Sequence, residues 1–258
     1  MKLKKFSTLA ISAILSISLL SGCSSNNASS SSASSGNTAT ASTSSSSEAT
    51  NDTDKNKEAG EKLLTDIEGT YQELFSVICD EKYDQVWKDD AAALVGEDKA
   101  QESVDALLGS VQGDVIGEDA VEKYKDKDPK FDCEFMQDVE KVTFKGDTIS
   151  GVDKDGKELF SHTYKYVGYD ENVGFYQYKT DDKDAGEFTY FCILPDTPKS
   201  TYHIEFRYGS DLDALCQYDK GDYAYWMASG ILVDADEDMA KNAIELFCTE
   251  NLSDSENK

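Results

Sequence analysis

Positive charge is what this 258-residue chain most lacks: 25 Lys and Arg stand against 51 Asp and Glu. Without Lys2, Lys4 and Lys5 of its opening segment, the formal charge moves from −26 to about −29. Such a surface repels phosphate backbones and anionic headgroups, which excludes nucleic-acid binding and electrostatic docking to membranes. Histidine is nearly as scarce, with His162 and His203 the whole supply. A Ser-His-Asp or Cys-His site would need one of them beside a nucleophile, and no nucleophile-elbow sequence is present, so the chain is not expected to be an enzyme. Arginine occurs once, as Arg207. Between Ser24 and Asp54 there is no hydrophobic residue larger than Ala, so nothing in that stretch offsets the entropy of ordering it.

What is present is an aromatic-rich remainder. Fourteen Tyr and eleven Phe are too many for a disordered acidic chain, so the acid lies on the surface of something folded. Residues 1–22 pair a lysine-bearing start with an apolar run that is too short and Ser-rich to span a bilayer as a permanent helix. It reads as a signal peptide, and Leu20-Ser21-Gly22-Cys23 resembles the lipobox of bacterial lipoproteins, in which the Cys23 thiol is acylated before cleavage. Residues 23–60 then form a lipidated, Ser/Thr-rich tether, 61–250 one folded domain, and 251–258 an acidic tail. The whole is expected at the cell membrane, lipid-anchored and outside the cytoplasm.

Within the domain, Leu64, Ile67, Tyr71, Leu74, Phe75 and Ile78 recur at helical spacing, and shorter helical patterns follow at 83–87, 101–108 and 119–124. After Pro129 the period shortens. Strands are expected at 131–136, 141–145, 157–167, 173–179, 187–194 and 201–208, punctuated by turn signals such as Asp155-Gly156. Helical spacing returns at Met239, Ala243, Ile244 and Phe247. The fold class is therefore mainly β with helices (α+β): an antiparallel barrel of calycin or lipocalin type with flanking N- and C-terminal helices.

Alternation along residues 201–209 puts His203, Glu205 and Arg207 on one strand face, where the imidazole and Glu205 could converge on an ion or Glu205 could pair with Arg207. Asp153-Lys154-Asp155-Gly156 lacks the remaining ligands of a calcium loop and reads as a hairpin turn. Asp234, Asp236, Glu237 and Asp238 read as an acidic helix start. Phe160, Tyr164 and Tyr166 share a face with His162, which suits a buried, neutral histidine bonded to a tyrosine. Five cysteines besides Cys23 leave at least one unpaired.

The stretches Leu64-Thr65-Asp66-Ile67-Glu68-Gly69-Thr70-Tyr71-Gln72, Tyr164-Lys165-Tyr166-Val167-Gly168-Tyr169 and His203-Ile204-Glu205-Phe206-Arg207-Tyr208-Gly209 resemble, in order and spacing, the ZinT family of lipocalin-like zinc-binding proteins, also found as the C-terminal domain of AdcA-type lipoproteins. The resemblance implies binding of Zn2+ or another divalent metal ion and delivery to components of an ABC metal importer. The family's zinc site resembles three histidines, an H-x-H pair and a third nine residues upstream. Here His203 keeps the first position, Glu205 takes the second, and the upstream position falls on Leu194. Cys192, two residues from Leu194 on the same face, is the substitute thiolate, giving a set of His203, Glu205 and Cys192; its other readings are a core residue or half of a disulfide. The alternative function is a metal-free calycin that binds a small apolar ligand or a protein partner in an aromatic cavity. Cys23→Ala is expected to block acylation, leaving uncleaved precursor or releasing the protein from the membrane fraction, as fractionation and mass spectrometry would record.

Overall fold

A computed structural model describes residues 47–253. The signal segment, Cys23, much of the tether and the end of the acidic tail lie outside the described residues. The first helix, α1 (Ser47–Asp66), begins inside the stretch assigned to the tether, so regular structure starts before residue 61. Eight strands follow: β1 (Gly69–Glu73), β2 (Lys141–Lys145), β3 (Thr148–Val152), β4 (Glu158–Asp170), β5 (Phe175–Thr180), β6 (Tyr190–Ile193), β7 (Ile204–Gly209) and β8 (Ala228–Leu232). Each pairs antiparallel with the next, and β8 returns to β1, so the sheet closes into a barrel with no open edge. This is the calycin-like barrel with flanking helices that the sequence pattern implies.

The stripe from Leu64 to Ile78 is buried except for a partly exposed Phe75, yet it is not one helix. It divides into the end of α1, strand β1 and the short helix α2 (Leu74–Ile78). Thr70 and Tyr71 suit a pleated surface, and pairing of β1 with both β2 and β8 is what closes the barrel. Residues 131–136, expected as a strand, are irregular: they form isolated bridges at Asp132 and otherwise dock through scattered hydrogen bonds, such as those of Ser229 N–H to the Cys133 carbonyl and Trp226 Nε1 to the Glu134 carbonyl. Strands β3 and β8 carry Gly151 and Gly230, which weaken any strand pattern, but their missing side chains make room for partners. A Cβ on Gly151 would lie 2.3 Å from the Phe160 ring, and one on Gly230 3.2 Å from Cβ of Tyr71.

The registers fix which residues face the lumen. Tyr71 opposes Val142, Tyr178 opposes Phe191, Phe191 opposes Tyr208, and Ile193 opposes Phe206. These inward rings pack on one another: Phe191 lies 5.2 Å from Tyr164 and 5.3 Å from Tyr208, and Phe144 5.8 Å from Phe206, centroid to centroid. The lumen is a packed aromatic core. Helix α1 lies against β2 and β4, and the Tyr178 hydroxyl donates to the Gly60 carbonyl at 2.7 Å. A second core joins α2 with α3 (Asp84–Val95), α4 (Glu97–Ser110) and the C-terminal α7 (Glu237–Leu252) through Trp87, Leu107, Ile244 and Cys248. The helix α5 (Gly117–Tyr124) precedes the irregular 131–136 segment, and α6 (Leu212–Leu215) follows β7.

The outward face of β7 is covered as well. Arg207 is fully buried. Its guanidinium donates to the carbonyls of Leu215 at 2.5 Å, Gln217 at 2.9 Å and Tyr223, and lies over the rings of Tyr218 and Trp226. Burial lowers its pKa to about 10, still far above neutrality, so the cation persists. It organises the loop after β7 and makes no ion pair with Glu205, which removes that reading of the strand. Arg207→Leu leaves three buried carbonyls without their donor and is expected to cost about 3–5 kcal/mol, lowering Tm by on the order of 10 °C in a calorimetric scan.

Candidate functional site

Strand β7 starts at Ile204, three residues later than alternation suggests, because Tyr202 adopts a left-handed backbone (φ 62°). That bend turns the Thr201 carbonyl back onto its neighbour: Nδ1 of His203 lies 2.6 Å from it. A carbonyl only accepts, so Nδ1 carries the proton and Nε2 is the nitrogen able to take up a proton or a metal ion. The Thr201 hydroxyl donates to the His203 carbonyl at 3.0 Å and stiffens the same bend.

His203 and Glu205 line a cavity of about 100 Å³ outside the barrel wall. Its floor is the outer face of β7 and β8, with Ser229 opposite Glu205 in the register. Asp196 enters from the β6–β7 loop, Glu250 from the last turns of α7, and Cys133 from the irregular segment. Phe75, Phe131 and Phe247 supply apolar walls, so the polar groups sit deep in protein while keeping part of their surface on the cavity.

The charges in this cleft are unbalanced. Burial raises the pKa of Glu205, and Asp196 and Glu250 raise it further against the opposing pull of His203, to about 8. Burial also raises Asp196, and the His203 charge moderates the effect. Burial alone would lower His203, but Asp196, Glu205, the Thr201 carbonyl and Glu250 outweigh it, and its pKa stands above the ordinary histidine value. Near neutrality the Glu205 carboxyl therefore keeps its proton. Burial, with Glu205, Asp132 and Cys79 nearby, holds the Cys133 thiol protonated.

Of the sequence candidates, His203 and Glu205 come together and Cys192 does not line their cavity. Cys192 pairs in register with Arg207 on one side and with Gln177 on the other, whose amide reaches the sulfur of Cys216. Leu194 lies beside Glu205, donating its N–H to the Glu205 carbonyl at 3.0 Å. Asp196, Glu250 and Cys133 were missed; Asp196 stands two residues beyond Leu194, whereas Glu250 and Cys133 reach the site only through tertiary folding. Among the described residues, no three His, Cys, Asp or Glu side chains are gathered at metal-binding spacing.

The remaining motifs are structural. Asp153 accepts from the N–H groups of Asp155 and Lys157, both at 2.9 Å, in a hairpin turn closed by Gly156. Asp236 caps α7 by accepting from Met239 N–H at 2.9 Å. His162 is bonded through Nδ1 to Asp182 at 2.8 Å, so its partner is an aspartate and not the expected tyrosine.

No family model matches the chain, and no curated protein does. Among solved structures it is similar to the Zn(II)-bound ZinT-like domain of Streptococcus pneumoniae AdcA, at 19% identity and a TM-score of 0.45, over 70% of this chain and 89% of that one. It is also similar to Zn(II)-bound AdcA from Streptococcus pneumoniae, at 18% identity and a TM-score of 0.43, over 71% of this chain and 35% of that one. The chain thus spans about a third of that longer AdcA.

Because Glu205 holds its proton more tightly folded (about 8) than unfolded (4.5), stability falls as pH rises through that window. The raised His203 acts in the same sense: its contribution is complete below 6.5 and is lost as pH rises through the folded value. Glu205→Gln removes the larger of these penalties. Its Tm at pH 8 is expected to exceed wild type by roughly 3–8 °C and to match it near pH 4.5; an unchanged wild-type Tm between pH 5 and 8 would contradict the charge imbalance.

Proposed function

We propose that this chain is a lipid-anchored, extracytoplasmic binding protein that takes up a divalent cation, zinc first, at His203 and the carboxylates around it, and passes it to an ABC metal importer. The observation that carries the cation reading is the His203 imidazole, held by Thr201 with Nδ1 as donor, in a cleft where three carboxyl groups stand around it and burial raises Glu205 to about 8. An imidazole nitrogen with carboxylate oxygens is a borderline donor set that suits zinc in kind. The set does not suit it in spacing as it stands, since no three donors are gathered, so capture requires the carboxylates to close on the imidazole. Lipid anchoring is supported by the sequence around Cys23, and delivery to an importer by the sequence resemblance.

The metal-free alternative needs an aromatic cavity for an apolar ligand, and the inward rings fill the barrel with their own contacts. That favours the cation. Binding is also favoured over catalysis, because the cleft contains no nucleophile paired with a base.

Calorimetry on the mature chain stripped with chelator is expected to show one zinc ion bound, with His203→Ala abolishing most of the affinity. Glu205→Ala should weaken binding by a smaller factor, and Cys192→Ser should leave it intact, because Cys192 lies off the cleft. Affinity should also fall below about pH 6.5 as protons compete for the imidazole. Absence of zinc uptake, or uptake indifferent to His203→Ala, would overturn the proposal.

A further inference from the structure

Away from the cleft, two cysteine thiols meet over the outer wall of the barrel. Cys192 is fully buried on β6, between Gln177 of β5 and Arg207 of β7 in the register. Cys216 follows the last residue of α6, is half-buried, and accepts from Nε2 of Gln177 at 3.2 Å. Gln177, opposite Cys192 in the register, is thus in contact with the Cys216 sulfur, and Arg207, opposite Cys192 on the other side, holds the carbonyls of Leu215 and Gln217 that flank Cys216, so the two thiols are neighbours and are not joined. The strand on one side and the Arg207-held loop on the other keep them beside each other.

The two thiols are also unequal in the way disulfide exchange uses. The neighbouring Cys192 thiol and the Gln177 amide lower the pKa of Cys216, the more accessible of the pair, whereas the neighbouring Cys216 and burial raise that of Cys192. Cys79, Cys133 and Cys248 show no such arrangement: burial raises all three.

We infer that Cys192 and Cys216 are the site of a disulfide that staples the loop after β7 to the barrel wall. The chemistry needs an external disulfide as oxidant, either a protein thiol oxidant or a small-molecule disulfide. The Cys216 thiolate attacks one sulfur of that disulfide, forming a mixed disulfide and expelling the first thiolate. Cys192 then loses its proton, attacks the Cys216 sulfur and expels the second. Two protein thiols are oxidised by two electrons and one external disulfide is reduced to two thiols. The cross-link closes a 25-residue loop from Cys192 to Cys216, which includes all of β7. It is independent of whether the cleft binds metal.

The test uses the whole mature chain, reduced, then exposed to oxidised glutathione and digested without reduction. Trypsin should yield one linked pair, residues 184–199 joined to 208–220, while Cys79, Cys133 and Cys248 remain alkylatable as thiols. Oxidation should raise Tm by roughly 5–10 °C, and Cys216→Ser, at a half-buried position, should fold and lose that gain. Linkage between any other cysteines, a stable glutathione adduct on Cys216 in place of the pair, or five alkylatable thiols after oxidation would overturn the inference.

Discussion

Burial of strand β7 on both of its faces is the constraint on which the rest depends. Its inward residues Ile204, Phe206 and Tyr208 belong to the aromatic core, and its outward face is largely covered as well, Arg207 completely and Glu205 in part, by α7, the irregular 131–136 segment and the loop after β7. Polar groups on such a face must be satisfied inside the protein. Arg207 does so through its terminal nitrogens, by gathering backbone carbonyls and two aromatic faces, while its buried Nε finds no partner. Glu205 and His203 have no comparable supply of partners. Glu205 keeps its proton toward neutrality and His203 is raised by the carboxyl groups of Asp196, Glu205 and Glu250 around it, the electrostatics on which the proposed cation binding rests.

The same constraint explains why the chemistry lies outside the barrel and not within it. A closed eight-stranded barrel has an interior that side chains can just fill, and here Phe144, Tyr164, Phe191, Phe206 and Tyr208 fill it with edge and stacked contacts. The pocket lined by His203 and Glu205 lies instead where helices and loops meet the wall. The backbone strain is placed accordingly. Tyr202, left-handed at the entrance to β7, aims one carbonyl at one imidazole and so selects the nitrogen that faces a ligand.

The barrel was legible because strands such as β4 and β5 alternate strongly and end in turn residues. What escaped were the strands whose identity is set by partners. β1 carries buried residues at spacings that fit a helix equally well, and β3 and β8 contain glycines whose value lies in admitting Phe160 and Tyr71. The site divides in the same way. His203 and Glu205 share a face within one segment and could be paired by counting. Cys192 shares that face too, yet registers opposite Arg207, one step along the wall, where it meets Cys216 instead. Glu250 and Cys133 come from elements whose approach to β7 no local pattern encodes.

If the cleft is short of a cation, an ion entering it must displace protons, and counting those protons tests the account most directly. Zinc titrations of the mature chain at pH 7, repeated in buffers of differing ionisation enthalpy, give the number released per ion bound. With both Glu205 and His203 titrating above their ordinary values, the account predicts release of about one to two protons per zinc. Binding with no proton release would mean that the ion is held elsewhere or that the cleft carries no such imbalance, and either result would contradict it.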